Sequence, residues 1–248
     1  MDEALCTTAT HKLYKCMEQV YCSTRECVVH TCIIFFQKSF LFAFCVQFFT
    51  SYGHKIFTNI QMSELVKYEK HGHIGIFTLN RPKAMNAVNG KLSAQFEAHL
   101  EAFEADENMW IGIVCSSHKK VFCAGADLKA IGSGVPLATV KGGFAGFVSY
   151  PRRKPMIAAV DGFALAGGCE IVLACDMCVA SESSRFGVPE VKRSLVAAAG
   201  GLFRLPQKIP KVVAMEMILT GDPILAARAY ELGFVNSIVP KGRFNLFL

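Results

Sequence analysis

Residues 161–201 read DGFALAGGCEIVLACDMCVASESSRFGVPEVKRSLVAAAGG, and the rest of the chain is read outward from them. Gly167 and Gly168 stand just ahead of an apolar run, residues 171–175, with Glu170 at its start. A second acid, Glu190, follows directly after Pro189. Glycines ahead of a helical run leave bare N–H groups at the helix N-terminus, where partial positive charge meets a developing anion. Two carboxylates near such a site are suited to moving protons at neutral pH. Each feature also has a plainer explanation. A Gly-Gly pair lets backbones pack closely, a glutamate in a first helical turn answers the helix dipole, and Glu190 reads as a surface acid at a strand end.

The segment at residues 122–129, FCAGADLK, has the same character. Small side chains ahead of Asp127 let a ligand approach the backbone, although a tight strand-to-helix connection has the same composition. Around it the pattern is orderly. Residues 65–70 and 74–79 predict two strands joined at His71, Gly72 and His73, a solvated turn in preference to a metal site. Asn80 to Lys83 marks a turn, and Asn89 leads into a helix whose Leu92, Phe96, His99, Leu100 and Phe103 share one buried face. Residues 110–115 and 156–160 predict short buried strands, and residues 132–146 a glycine-rich cover over a ligand site. Residues 212–219 and 225–232 predict helices either side of Thr220, Gly221, Asp222 and Pro223, before a last strand near residues 237–240. Three to four strand-turn-strand-helix units imply an α/β spiral in preference to a doubly wound sheet.

Composition narrows the function. With 52% hydrophobic and 19% charged residues the chain is not disordered. A net charge of +6 without basic runs interleaved by aromatics excludes a nucleic-acid module and suits an acidic small ligand. Of 11 cysteines, six lie in the first 45 residues, and Cys175 and Cys178 form a lone C-x-x-C with no matching pair. Every histidine lies at or before His118. Neither Cys169 nor Ser184 therefore has a base nearby in sequence, and no metal or redox site is expected. No G-x-G-x-x-G follows the first strand, against a nicotinamide site.

Residues 1–61 differ in kind: rich in Cys and Phe, without proline, and without glycine until Gly53. Residues 28–52 are long enough to span a bilayer, but His30, Gln37, Lys38 and Gln47 interrupt them. A membrane anchor, a targeting extension and a stretch foreign to the native domain all stay open. The last is preferred, with residues 62–248 as the catalytic domain. The cytoplasm is the default compartment and the mitochondrion the second.

The two chemical segments, in this order, resemble the crotonase (enoyl-CoA hydratase/isomerase) superfamily. The resemblance covers residues 65–241 and implies an α/β fold, the crotonase-type spiral of repeated ββα units. It implies that the N–H groups of Ala126 and Gly167 form an oxyanion hole. Glu170 and Glu190 would flank a water above an enoyl double bond, Glu190 protonating C2 while the other carboxylate activates the water. Lys83, Ala126, Asp127, Leu128, Lys129 and Gly167, with Arg152 as a further candidate, would contact coenzyme A, which is part of the substrate; no separate cofactor is implied. Reversible hydration of a trans-2-enoyl-CoA is the expected activity, with an isomerase, a carnitinyl-CoA-type dehydratase or an inactive CoA-binding remnant as alternatives. Ala198 stands where the hydratase pattern has glycine, and residues 190–199 read closer to the carnitinyl-CoA dehydratase-like branch. Family members form homotrimers, built partly by a helical tail that is expected to be missing after Leu248.

Overall fold

The structure, a computed structural model, describes residues 64–240. The expectations for residues 1–63, the possible anchor included, and for residues 241–248 lie outside the described residues. β1 (Val66–His71) and β2 (Ile74–Leu79) pair antiparallel around Gly72, whose φ of +58° favours glycine. A 3-10 turn at Pro82–Ala84 leads to α1 (Gly90–Ala105). Asn89 caps that helix, its side-chain oxygen accepting the Leu92 N–H at 2.9 Å. The helical spacing buries Leu92, Phe96, Leu100 and Phe103 completely. Phe96 lies between Phe77 and Phe147, with ring centroids 5.6 and 4.9 Å away. Burying each such side chain contributes about 1.5–3 kcal/mol. His99 is only half-buried, its Nε2 3.1 Å from the Val66 carbonyl oxygen.

The spiral follows. β3 (Ile111–Ser116) and β4 (Val121–Cys123) lead to α2 (Leu128–Gly132) and a short hairpin of β5 (Ala138–Thr139) and β6 (Gly143–Phe144). β7 (Met156–Val160) and β8 (Phe163–Leu165) lead to α3 (Gly167–Ala174). β9 (Met177–Ser181) and β10 (Arg185–Gly187) lead to a 3-10 turn, Pro189–Arg193, and then α4 (Gly201–Lys208). α5 (Lys211–Thr220), β11 (Ile224–Leu225), α6 (Ala226–Glu231) and β12 (Ser237–Val239) complete the described chain.

Each unit sends its first strand to one sheet and its second to another. The larger sheet runs β1-β2-β3-β7-β9-β12 and the smaller β11-β10-β8-β4. Neighbours are parallel except at the two edges, β1 with β2 and β10 with β11. Three units, β3-β4-α2, β7-β8-α3 and β9-β10-α4, thus step side by side along both sheets. The first strand pair departs from this rule, since β1 and β2 share one sheet.

One expectation is corrected and one helix is added. Trp110 is not in a buried strand: it precedes β3, is 60% exposed and stacks on His73 with centroids 3.7 Å apart. A flat ring laid over the hairpin turn satisfies its apolar faces without entering the core. α4 was not expected, because Pro206 sits inside it and an eight-residue helix carries little periodicity.

Candidate active site

β4, β8 and β10 are adjacent and parallel, and the chain leaves each of them toward the same end of the smaller sheet. Ala126 follows β4, Gly167 follows β8 and Glu190 follows β10, each within three residues of the strand's last position. Glu170 joins them one turn into α3. Three segments distant in sequence are thereby gathered where α/β folds place ligands, beyond the carboxyl ends of parallel strands.

The first two segments touch. Gly125 has φ +97°, and a Cβ there would stand 2.8 Å from the Ala166 Cβ and 3.0 Å from the Gly167 nitrogen. Only glycine permits both the backbone and the approach. The Val88 N–H donates to the Gly125 oxygen at 2.8 Å and the Asp127 N–H to the Val88 oxygen at 2.9 Å, which fixes the Ala126 peptide between them. Ala166, at φ 52° and ψ −128°, holds a strained turn into α3. Neither the Ala126 nor the Gly167 N–H has a hydrogen-bond partner among the described residues. The plainer reading of the glycine pair holds alongside this. A Cβ on Gly168 would overlap the Cys123 carbonyl oxygen, and one on Gly167 would meet the Phe144 ring at 2.5 Å.

The two acids differ. Glu170 is 3% exposed, and its Oε1 accepts the Gly201 N–H at 2.8 Å. Burial raises its pKa, while the amides of the 199–201 turn and the Arg204 charge pull it back. Glu190, on the 3-10 turn, is pushed up to about 7, by burial first and also by the Glu170 charge, against the lowering effect of its own backbone N–H. Its Oε2 is buried without a hydrogen-bond partner among the described residues. Burial raises both carboxyls and the Glu170 charge raises Glu190 further, so the two titrate as a coupled pair.

All four residues line one cleft of about 1150 Å³. Leu137, Phe144, Val148, Leu195, Val196 and Phe203 give it apolar walls, and Arg81, Lys83, Lys129 and Arg193 supply cations. Asp127 caps α2 through the Lys129 N–H at 3.0 Å and pairs with Arg81 at 2.6 Å, so its carboxylate is already engaged. Leu128 is 58% exposed at the cleft.

The sequence profile of the enoyl-CoA hydratase/isomerase family matches residues 69–245. The chain belongs to that family. A "probable enoyl-CoA hydratase" of Rhizobium meliloti (strain 1021) is 42% identical over 185 residues, covering 73% of this chain and 70% of the relative. A "probable enoyl-CoA hydratase, mitochondrial" of Dictyostelium discoideum is 38% identical over 174 residues, 69% of this chain and 62% of that one. The crystal structure of a carnitinyl-CoA hydratase from Mycobacterium avium superposes with a TM-score of 0.72 at 43% identity, covering 75% of this chain and 72% of that one. The solved relative has the crotonase fold, and the family acts on acyl-CoA thioesters.

For an enzyme of the enoyl-CoA hydratase/isomerase family, the cations on the cleft suit the phosphates of a CoA thioester. Lys83 and Lys129 were expected there; Arg193, three residues after Glu190, was missed, although that 3-10 spacing signals a shared face. Arg152 is corrected. It lies on a polar cavity of about 460 Å³ that adjoins the cleft at Val148 and Ser149, where it donates to the Phe147 oxygen at 2.8 Å and to the Ala174 oxygen. There it caps the C-terminus of α3. Among the described residues no cluster of three or more His, Cys, Asp or Glu could hold a metal ion. No helix there is long and apolar enough to cross a membrane.

Proposed function

We propose that the chain catalyses the reversible hydration of a trans-2-enoyl-CoA to a 3-hydroxyacyl-CoA. The thioester oxygen accepts the Ala126 and Gly167 N–H groups. Glu170, as the anion, takes a proton from water while the water oxygen bonds to C3. The π electrons move onto the thioester oxygen as an enolate, which the two amides stabilise. The enolate then collapses and C2 takes the proton held by Glu190. Proton exchange with solvent restores the pair. The observation that carries this reading is the Glu190 carboxyl, raised to about 7 with one oxygen unpaired, on the same cleft as two unpaired amides. An isomerase moves a proton with one acid and has no need of the second.

Similarity to a carnitinyl-CoA hydratase raises a second acyl class. A trimethylammonium group is held by several aromatic faces or a free carboxylate. Phe144 and Phe203 are the aromatic residues of this cleft, Asp127 is paired, and Glu170 and Glu190 are assigned to proton transfer, which supports an uncharged acyl group. Lys83, Lys129 and Arg193 are assigned to the CoA phosphates. We keep residues 62–248 as the catalytic domain and the cytoplasm as compartment; the mitochondrial relative keeps the mitochondrion second, and fractionation decides.

The test is loss of enoyl-thioester absorbance with a short trans-2-enoyl-CoA, for the full chain and its Glu190→Gln and Glu170→Gln variants. Each variant is expected to lose about 10²–10⁴ in kcat. Equal turnover in all three would refute the two-acid mechanism, and an inactive wild type that still binds CoA would leave the remnant.

A further inference from the structure

Glu170 is aimed from outside its own helix. Its Oε1 takes the Gly201 N–H at 2.8 Å, so the start of α4 sets the direction of the carboxylate. That start is in turn held by Arg204. The guanidinium donates through Nη1 to the Ala199 oxygen at 3.0 Å and through Nη2 to the Val148 oxygen at 2.6 Å. It ties the 199–201 turn to the segment that follows the β5–β6 hairpin. Gly200, at φ +127°, leaves the room: a Cβ there would overlap Arg204 Nη1. A planar, permanently charged fork is the side chain that can bridge two carbonyls and still present a cation beyond them.

We propose that Arg204 is a positioning residue for this reaction: it clamps the 199–201 turn that aims Glu170 and holds a permanent positive charge beside that turn. The inference rests on the hydratase reading of Glu170 as base. Arg204 lines the polar cavity of Arg152 and is not one of the residues lining the cleft, so it acts through Glu170 and not on substrate. The charged and titratable groups around Glu170 are consistent with a coupled pair. The Glu170 charge opposes the ionisation of Glu190 on the 3-10 turn, Cys169 is a neutral buried thiol beside Glu170 on α3, and Arg204 favours Glu170's ionisation from α4. Arg152 stands behind Arg204 and, with burial, lowers the Arg204 pKa without discharging it.

The test uses the full chain with Arg204→Gln and Arg204→Lys, read in two ways. One is the pH profile of kcat/KM with a short enoyl-CoA. The other is an infrared titration of the Glu170 carboxylate without substrate, assigned by its disappearance in Glu170→Gln. Arg204→Gln should move the acidic limb and the infrared titration upward together, by about one pH unit, as loss of a nearby opposite charge does. Its kcat should fall about 10²-fold with KM nearly unchanged, the cost of a misaimed group. Arg204→Lys keeps the charge and loses the fork, so the limb should stay while kcat drops roughly tenfold. An unmoved titration in a folded Arg204→Gln, or a wild-type kcat in Arg204→Lys, overturns the proposal. Should Arg204→Gln not fold, the lysine variant alone decides by the same criterion. Since the infrared titration needs no turnover, an inactive wild type would sink the hydratase reading without being mistaken for failure at Arg204.

Discussion

Glu190 is a group whose protonated form the fold prefers. Its folded pKa of about 7 lies above the ordinary carboxyl value, so its contribution to stability is intact at and below the ordinary value and is lost as pH rises through about 7. Glu190→Gln removes that loss. At pH 8 the variant should melt higher than the wild type, by about 1–2 kcal/mol once the shift is discounted for partial exposure, and the two should converge near pH 4.5. Calorimetry at both values checks it; a variant less stable at pH 8 contradicts the assignment. A smaller slope should persist in the variant, because burial raises Glu170 in the same direction. Ala198 lines the cleft and is exposed. The acids were legible through the family resemblance, since Pro189 and the glycine pair alone also read as a strand-end turn and a packing device. Arg204 was not, since its role lies in two carbonyls remote from each other in sequence.

At the scale of elements, α3 enters the site through two glycines with different work. Gly168→Ala puts a methyl group into the Cys123 carbonyl at the end of β4, and backbone cannot yield cheaply. The variant should lose about 1–3 kcal/mol, read as a lower denaturation midpoint. Gly167→Ala meets instead the Phe144 ring on the short hairpin, which can move. It should melt near the wild type yet lose roughly 10–10² in kcat as the oxyanion pocket shifts, and adding Phe144→Ala should restore part of that loss. Wild-type kcat in Gly167→Ala would contradict the placement of this amide. α1 was readable because its cap and its apolar spacing agree. The division of β4, β8 and β10 into their own sheet was not, because short buried strands look alike whichever sheet they join. Trp110 was misplaced for a related reason: hydrophobicity counted it as buried, while the hairpin turn gave it a partner at the surface.

Across the whole molecule, the spiral explains why the site needs the length of the domain: each of three adjacent strands contributes one segment. It was the repetition of strand-turn-strand-helix units that made this legible, whereas Arg152 showed that a basic cluster names no cavity by itself. The thiols test the packing. Cys123, Cys169, Cys175 and Cys178 are buried with raised pKa values and Cys115 is partly covered. With the six N-terminal cysteines replaced by serine, a native-state thiol assay should count one reactive group at most, and five after denaturation. The homotrimer implied by the family is a separate expectation, set against the tail expected to be missing after Leu248: sedimentation at three times the chain mass would show the tail dispensable for assembly, and sedimentation at the chain mass would show it required. The most direct test of the central claim is the fate of solvent atoms: incubate the wild-type chain with a trans-2-enoyl-CoA in ¹⁸O-labelled heavy water and locate the label. Hydration by the two acids predicts one ¹⁸O at C3 and one deuterium at C2 of a 3-hydroxyacyl-CoA. Deuterium in a shifted alkene without any ¹⁸O would mean a one-acid isomerase and contradict the account.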